Sequence, residues 1–201
     1  MVKENPIHKQ QIDPVLMADR FPFYDLDGHL AADAAEIYGI IAGREEHIAR
    51  AYWDAFNALP GIERKVEGEL LSSYVQGSAR HTETKYRNAA GQEVATIACQ
   101  NTHMARRVKL PLASVMSCIA ESLRLTIEFV IDASAGDTQR QARLTSAINR
   151  LALLEFDIMQ RYATKLDRAV VSSERQSLAG DFDRSIASLV QDTDGVREQL
   201  A

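Results

Sequence analysis

The sequence predicts an all-α fold, and three observations lead to that prediction. Apolar residues recur at spacings of three and four along most of the chain, as expected of helices with one buried face. No segment shows the two-residue alternation of a half-buried strand. Hydrophobic residues make up 46% and charged residues 25% of the 201 positions, with only 5 prolines, a composition that suits one globular domain with an extension.

The first half of the chain predicts a domain start and then three helices. A boundary falls near Pro22, because a proline disfavours a helical conformation at the residue before it. The elements predicted next are two consecutive helices over residues 30–59 with a break at Gly39 and Gly43, a stop at Pro60–Gly61, and a helix from 66 to about 77.

The second half predicts three more helices and a tail of a different kind. The helices cover residues 92–108 after a turn at 87–91, residues 112–131, and residues 142–171 after a loop at 133–137. Pro111 suits a helix start, because its missing N–H would have no helical partner there. Sparse apolar positions in the tail suit a narrow helix–helix seam. We therefore expect an N-terminal extension at 1–20, a main domain at 21–171, and a helical linker at 172–201 toward a signalling module.

Charge and motif content exclude several classes of function. A formal net charge of -5 gives no general attraction to nucleic acid. Cys99 and Cys118 lack CxxC spacing, so we expect two buried free thiols. No apolar run reaches the roughly 18 residues of a membrane span, and residues 1–19 have no apolar core of signal-peptide length, so we expect no membrane segment and a cytoplasmic location. Zinc-type HExxH pairs, GxSxG elbows and phosphate-binding glycine loops are missing, so we do not expect an enzyme.

His103 is the histidine whose setting suggests chemistry. It lies near the end of a predicted helix, with Ile97, Cys99 and Val108 around it in the sequence. A neutral imidazole in such a setting can give Nε2 to a haem iron while Nδ1–H bonds a nearby oxygen. A single histidine on a helix is more often an ordinary core or surface residue, so position alone does not decide between the two.

Three segments, in the same order, resemble the globin domain of bacterial globin-coupled sensors and the related protoglobins. They are residues 48–56 (IARAYWDAF), similar to the second helix of the family, 101–111 (NTHMARRVKLP), similar to the proximal-histidine segment, and 154–162 (LEFDIMQRY), similar to the last globin helix. The resemblance covers about residues 21–165 and implies a globin fold with a C-terminal helical extension. It also implies haem b as the cofactor and His103 as the iron ligand.

The resemblance implies a set of residues lining the haem pocket. They are His103 and Leu110 on the proximal side and Tyr52, Trp53, Ser72 and Val75 on the distal side. Trp53 stands where the family usually has a tyrosine that bonds the gas, and one or two extra residues separate His103 from Leu110. Either Tyr52 donates instead, or the Trp53 indole does, or the pocket is apolar, or the two aromatics simply pack in the core. His81 is expected to be a surface residue near a helix end and not a second iron ligand.

The function implied by the resemblance is that of a haem-based sensor of oxygen or another diatomic gas. Related domains form homodimers through the last two globin helices, and Leu144, Leu151, Ile158 and Leu166 extend farther than a globin core requires. Residues 182–190 look like the start of a chemoreceptor signalling coiled coil, which favours aerotaxis. The alternative is a haem-free sensor globin that acts as a protein–protein interaction and dimerisation module.

Overall fold

The computed structural model describes residues 12–62 and 65–199, with side chains described through residue 186. Its helices are two short 3-10 helices, Met17–Asp19 and Phe21–Phe23, followed by α1 Leu30–Ile41, α2 Glu45–Ala58, α3 Gly68–Arg87, α4 Gln92–Arg107, α5 Leu112–Ala133 and α6 Thr138–Gln199. No strand occurs in those ranges, so the predicted all-α class is confirmed. In the core, α1 and α2 each pack against both α3 and α5.

The chain divides into two compact units, and α6 has residues in both. One unit comprises Pro14–Ala163, and the other comprises the described parts of Met1–Asp13 and Thr164–Ala201. In the second unit the Lys165 ammonium donates a hydrogen bond to the Asp13 carbonyl at 3.2 Å. The predicted division into 1–20, 21–171 and 172–201 stays a prediction.

The predicted break between the first two helices is confirmed, and one glycine explains it. Gly43 lies between α1 and α2 with a φ of 81°, a left-handed conformation that residues with a Cβ adopt only at a cost. Gly39, in contrast, lies inside α1. At the end of α2, Leu59 is extended, as a residue before a proline tends to be, so the predicted stop at Pro60 is also confirmed.

The prediction that the third helix ends near Gly77 is wrong, because α3 continues to Arg87. A single glycine inside a helix costs only about 1 kcal/mol relative to alanine. Beyond it, Lys85 and Tyr86 are buried against the rest of the unit, and this burial outweighs the weak local stop. The predicted turn before α4 is confirmed at residues 88–91.

The junction between α4 and α5 is a tight reversal in which Lys109 has a left-handed backbone. Its φ is 56°, and the Leu110 amide donates to the Ala105 carbonyl at 2.8 Å, which closes the end of α4. Pro111 is extended and directly precedes α5, so the predicted proline start is confirmed. The left-handed lysine was not predicted, because glycine or asparagine usually marks such a position.

The last helix begins earlier than predicted and continues without a break past residue 171. Asp137 explains the early start, since its carboxylate accepts a hydrogen bond from the Arg140 amide at 2.9 Å and so caps the helix. The backbone of residues 172–199 belongs to the same helix. Ion pairs then join the start of α6 to α1: Arg140 lies 2.6 Å from Glu36, and Arg143 pairs with both Glu36 and Asp33.

The apolar residues expected to extend beyond the core of α6 are in fact buried by the chain itself. These residues are Leu144, Leu151, Ile158 and Leu166. The expectation that they form a dimer surface is therefore wrong, because their buried faces are already used within one copy. A dimer through the last two helices needs other residues.

Candidate functional site

A group of side chains around Trp53 lies between α2 and α3, and we call Trp53, Tyr74, Val75 and Ser78 the Trp53 cluster. Trp53 stacks on Tyr74 with 4.8 Å between ring centroids, and it meets Tyr52 edge-on at 5.2 Å. It also packs against a buried apolar patch that includes Val75. Tyr74 is exposed at the edge of the cluster, so this contact between two helices is open on one side.

The indole N–H of Trp53 has a partner within the cluster, because Nε1 donates to Ser78 Oγ at 3.0 Å. A serine hydroxyl can accept one hydrogen bond and still donate its own O–H. Sequence reasoning missed Ser78, since the predicted helix stopped one residue earlier. Continuing that helix by one turn would have placed Ser78 on the same face as Tyr74, four residues before it.

Tyr52 has different neighbours from Trp53, although the two are adjacent in the sequence. Burial raises the pKa of the Tyr52 phenol above its ordinary value, and Cys118 of α5 and Glu155 of α6 act in the same direction. The phenol therefore stays protonated and remains a hydrogen-bond donor. Its hydroxyl makes no hydrogen bond to any residue in the described ranges.

Ser72, expected on the distal wall, lies outside the Trp53 cluster. Its side chain is exposed, and its hydroxyl donates to the Gly68 carbonyl of the same helix at 3.2 Å. A bond of this kind keeps the hydroxyl on the helix surface. Of the predicted distal residues, Trp53 thus contacts both Val75 and Tyr52, whereas Ser72 lies apart.

His103 lies near the C-terminal end of α4 and is half-buried. Thr102 beside it is buried, and its hydroxyl is bonded to the Ala98 carbonyl at 2.8 Å. Neither imidazole nitrogen of His103 has a hydrogen-bond or ion-pair partner in the part of the chain that the structure describes. Such an imidazole can bind a metal through one nitrogen and donate through the other. Leu110, also half-buried, lies just beyond the helix end.

Large apolar side chains are exposed at the start of α3 and at the end of α4, the two helix ends away from the turn that joins these helices. Leu70 and Tyr74 are exposed in the first two turns of α3, and Met104 and Val108 are exposed at the end of α4. A contiguous apolar surface is typical of a site that a ligand or partner covers, whereas single exposed apolar residues are common on any protein. His103 and Met104 are adjacent on α4, so the end of this helix presents one metal-binding nitrogen and one exposed apolar side chain.

A second group, the ion cluster of His81, Lys85 and Glu155, lies inside the larger unit. The Lys85 ammonium donates to Glu155 Oε2 at 3.1 Å. His81 Nε2 lies 3.4 Å from Oε1 of the same carboxylate, within ion-pair reach but not aligned for a hydrogen bond. The expectation that His81 is a surface residue near a helix end is wrong, because α3 continues past it and its side chain is only 14% exposed.

Opposing effects set the charges of the ion cluster. Burial alone lowers the pKa of Lys85, but Glu155 outweighs it, so this pKa lies above its ordinary value. Burial alone raises the pKa of Glu155, but Lys85 and His81 outweigh it, so this pKa lies below its ordinary value. For His81 the burial prevails and lowers the pKa. At neutral pH the cluster therefore holds one positive charge, one negative charge and a neutral imidazole.

Two surface grooves lie outside both clusters. One, of about 720 Å³, lies between α2 and α5, with His47 in its lining. The other, of about 590 Å³, lies between α5 and α6 and is lined in part by Ile131 and Leu153. Neither groove is lined by Trp53 or His103.

No group of three or more histidine, cysteine, aspartate or glutamate side chains in the described ranges is placed to hold a metal ion. No helix in the described part of the chain is both long and apolar enough to cross a membrane. Cys99 and Cys118 are free and buried, which confirms that prediction.

No family model, curated protein or solved structure matches this chain. The all-α class rests on the structure itself. The globin fold, the haem and the sensor function are implied only by the resemblance of three segments, and they remain predictions.

Proposed function

We propose that the chain is a haem-binding sensor of a diatomic gas, oxygen foremost, with His103 as the ligand of the haem iron. One observation on α4 carries the proposal: an imidazole without a partner in the described chain stands next to an exposed apolar side chain, that of Met104. The exposed apolar end of α3 offers the same cofactor a second surface. A globin fold would account for both.

In this proposal the two sides of the haem have different residues. His103 would hold the iron through one nitrogen, and Leu110, Trp53 and Val75 would supply apolar surface around the haem. Haem b, when bound, supplies an iron that takes up a diatomic gas reversibly. The chain would exclude water from that iron and would place a hydrogen-bond donor near the gas.

Tyr52 is the donor that the contacts favour. The N–H of Trp53 is already used by Ser78, whereas the O–H of Tyr52 has no acceptor in the described chain, and burial keeps it protonated. Ser78 is the second choice, because it accepts from Trp53 and its own O–H is not used by any described residue. An apolar pocket becomes the explanation only if neither donates.

We further propose that the sensor works as a cytoplasmic homodimer through α5 and α6 and acts on a chemoreceptor-type module beyond the linker. Ile131 and Leu153 are exposed apolar residues that line the groove between these two helices. A second copy would remove them from water, as interface cores do. Gas binding would then bias the arrangement of the paired helices. No catalytic step and no nucleic acid enters this scheme.

A haem-free interaction module is the second candidate, and one observation favours it. Neither surface groove is lined by a residue that the haem proposal needs, and the Trp53 N–H is satisfied inside the protein. A protein that used the exposed apolar ends of α3 and α4 only to bind another protein would show the same features. The two candidates differ in a property that is simple to measure, namely stoichiometric haem binding.

The deciding experiment compares haem uptake by the wild-type chain, His103→Ala and His29→Ala, in which an exposed histidine is removed as a control. We expect a Soret band and one haem per chain for the wild type and for His29→Ala. We expect no stoichiometric haem for His103→Ala, with the far-ultraviolet circular dichroism of all three chains alike. A wild-type chain without a Soret band would establish the interaction module instead. Normal haem content in His103→Ala would assign the iron to another residue.

A further inference from the structure

The ion cluster is a feature that gas binding does not require. Its three ionisable side chains come from two helices, His81 and Lys85 from α3 and Glu155 from α6, and their exposed fractions are 14%, 11% and 7%. Buried ionisable groups are costly unless they are paired, so a cluster of three calls for an explanation. One carboxylate cannot balance two positive charges.

The spacing on α3 explains why the three groups meet. Residues four apart lie on the same helix face, so His81 and Lys85 both reach Glu155. Each contacts a different oxygen of that carboxylate, Oε2 for Lys85 and Oε1 for His81. The proton on His81 therefore decides the charge of the cluster, which is zero with a neutral imidazole and +1 with an imidazolium.

No other group described around the cluster supplies a second negative charge. On α3 itself Tyr86 is buried, and burial raises its pKa, so that it stays neutral. Tyr52 of α2 has a raised pKa through burial as well, and burial raises the pKa of Cys118 of α5 to about 11. Glu83 of α3 lies within 3.2 Å of Arg87 and is already paired. A proton on His81 thus leaves an uncompensated charge inside the protein.

We propose that the ion cluster is a proton-operated latch between α3 and α6, which opens when His81 takes up a proton. The lowered pKa of His81 sets the direction of the pH effect, because the closed arrangement holds the neutral imidazole and resists its protonation. In an open arrangement water reaches the imidazole, so the pKa of His81 returns to near the ordinary histidine value. Acidification below that value therefore favours opening. The latch requires no haem, so it stands or falls independently of the proposed sensor function.

The chain contains its own reporter for this latch. Trp53 is the only tryptophan. It is hydrogen-bonded to Ser78, three residues before His81 on the same helix. A movement of α3 away from α6 would disturb that contact and change the environment of the indole.

The test is a titration of Trp53 emission in the full chain between about pH 8 and pH 5, the range in which histidine changes charge. We expect a transition with its midpoint below the ordinary histidine value while the helical circular dichroism is unchanged. His81→Gln should abolish the transition, and the control His29→Gln should keep it. If the chain carries haem, which quenches tryptophan, amide hydrogen exchange over residues 78–87 replaces emission, with intrinsic rates corrected for pH.

A second variant separates a latch from a merely buried histidine. In Lys85→Met a protonated His81 becomes the only partner of Glu155. Acid should therefore close the contact between α3 and α6. The change in Trp53 emission on acidification should then be opposite in direction to that of the wild type. An emission change that persists in His81→Gln, or that keeps its wild-type direction in Lys85→Met, would overturn the proposal. So would an indole signal that changes only together with the loss of helix.

Discussion

The two clusters on α3 lie within three residues of each other and are built from opposite chemistry. The Trp53 cluster is neutral, has one internal hydrogen bond and is open on the side of Tyr74. The ion cluster is closed and charged, and it contains a histidine beside its Lys85–Glu155 pair. A substitution in the first changes packing and one neutral hydrogen bond, whereas a substitution of an ionised residue in the second alters buried charge. The same helix therefore combines two contacts that should respond differently to mutation and to pH.

Breaking the ion cluster should have the largest effect on stability. Glu155→Leu leaves the Lys85 ammonium buried without its partner, and removing one member of a buried pair costs about 3–5 kcal/mol. We expect urea unfolding at neutral pH to show a loss of this size in the free energy of unfolding. The double variant Lys85→Met/Glu155→Leu should recover most of it, because no charge then remains unpaired. A double variant that is as unstable as Glu155→Leu would show that packing, not charge, is what the cluster contributes.

Tyr52 of α2 meets Trp53 edge-on and is also affected by Glu155 of the ion cluster, and Tyr52→Phe tests the proposed gas donor. A hydrogen bond to a polarised gas ligand is worth about 1.5–3 kcal/mol, or about ten- to a hundred-fold in dissociation rate. Stopped-flow measurements on the haem-loaded chain should show faster oxygen dissociation by that factor and little change for carbon monoxide, which is less polarised when bound. Unchanged oxygen dissociation would remove Tyr52 from the scheme and leave Ser78 as the remaining candidate.

The helix ends show what a single sequence can and cannot predict. The break at Gly43 and the start at Pro111 were predicted because each depends on the backbone of one residue. The continuation of α3 past Gly77 was missed, since it depends on burying Lys85 against Glu155, 70 positions away. Local patterns carry no information on such a partner. The four-residue spacing between Tyr74 and Ser78 does place both on one helix face. That spacing carries information only if the helix includes Ser78, and the predicted helix ends before it.

Ser78→Ala should have a moderate effect within the Trp53 cluster. It leaves the indole N–H of Trp53 without its acceptor, and an unsatisfied buried donor costs about 1–3 kcal/mol. The exposed edge of the cluster lets water replace part of that bond, so we expect a loss near the lower end, about 1 kcal/mol. Equilibrium unfolding measures the loss, and Trp53 emission should shift to longer wavelength in the folded protein. An unchanged emission spectrum would mean that the hydrogen bond is not formed in solution.

Ser72→Ala is the matched control on the same helix, and it should give the smallest effect, of opposite sign. The Ser72 hydroxyl is exposed and bonded only to the Gly68 carbonyl, a contact that slightly disfavours the helix, and alanine is the better helix former. The free energy of unfolding should therefore rise by about 0.3 kcal/mol, and neither Trp53 emission nor gas dissociation should change. The resemblance to globin-coupled sensors implied a distal role for Ser72, whereas the indole of Trp53 donates to Ser78 and not to Ser72. If gas dissociated faster in Ser72→Ala than in Ser78→Ala, Ser72 and not Ser78 would be the residue near the bound gas. The gas site would then not lie on the open side of the Trp53 cluster.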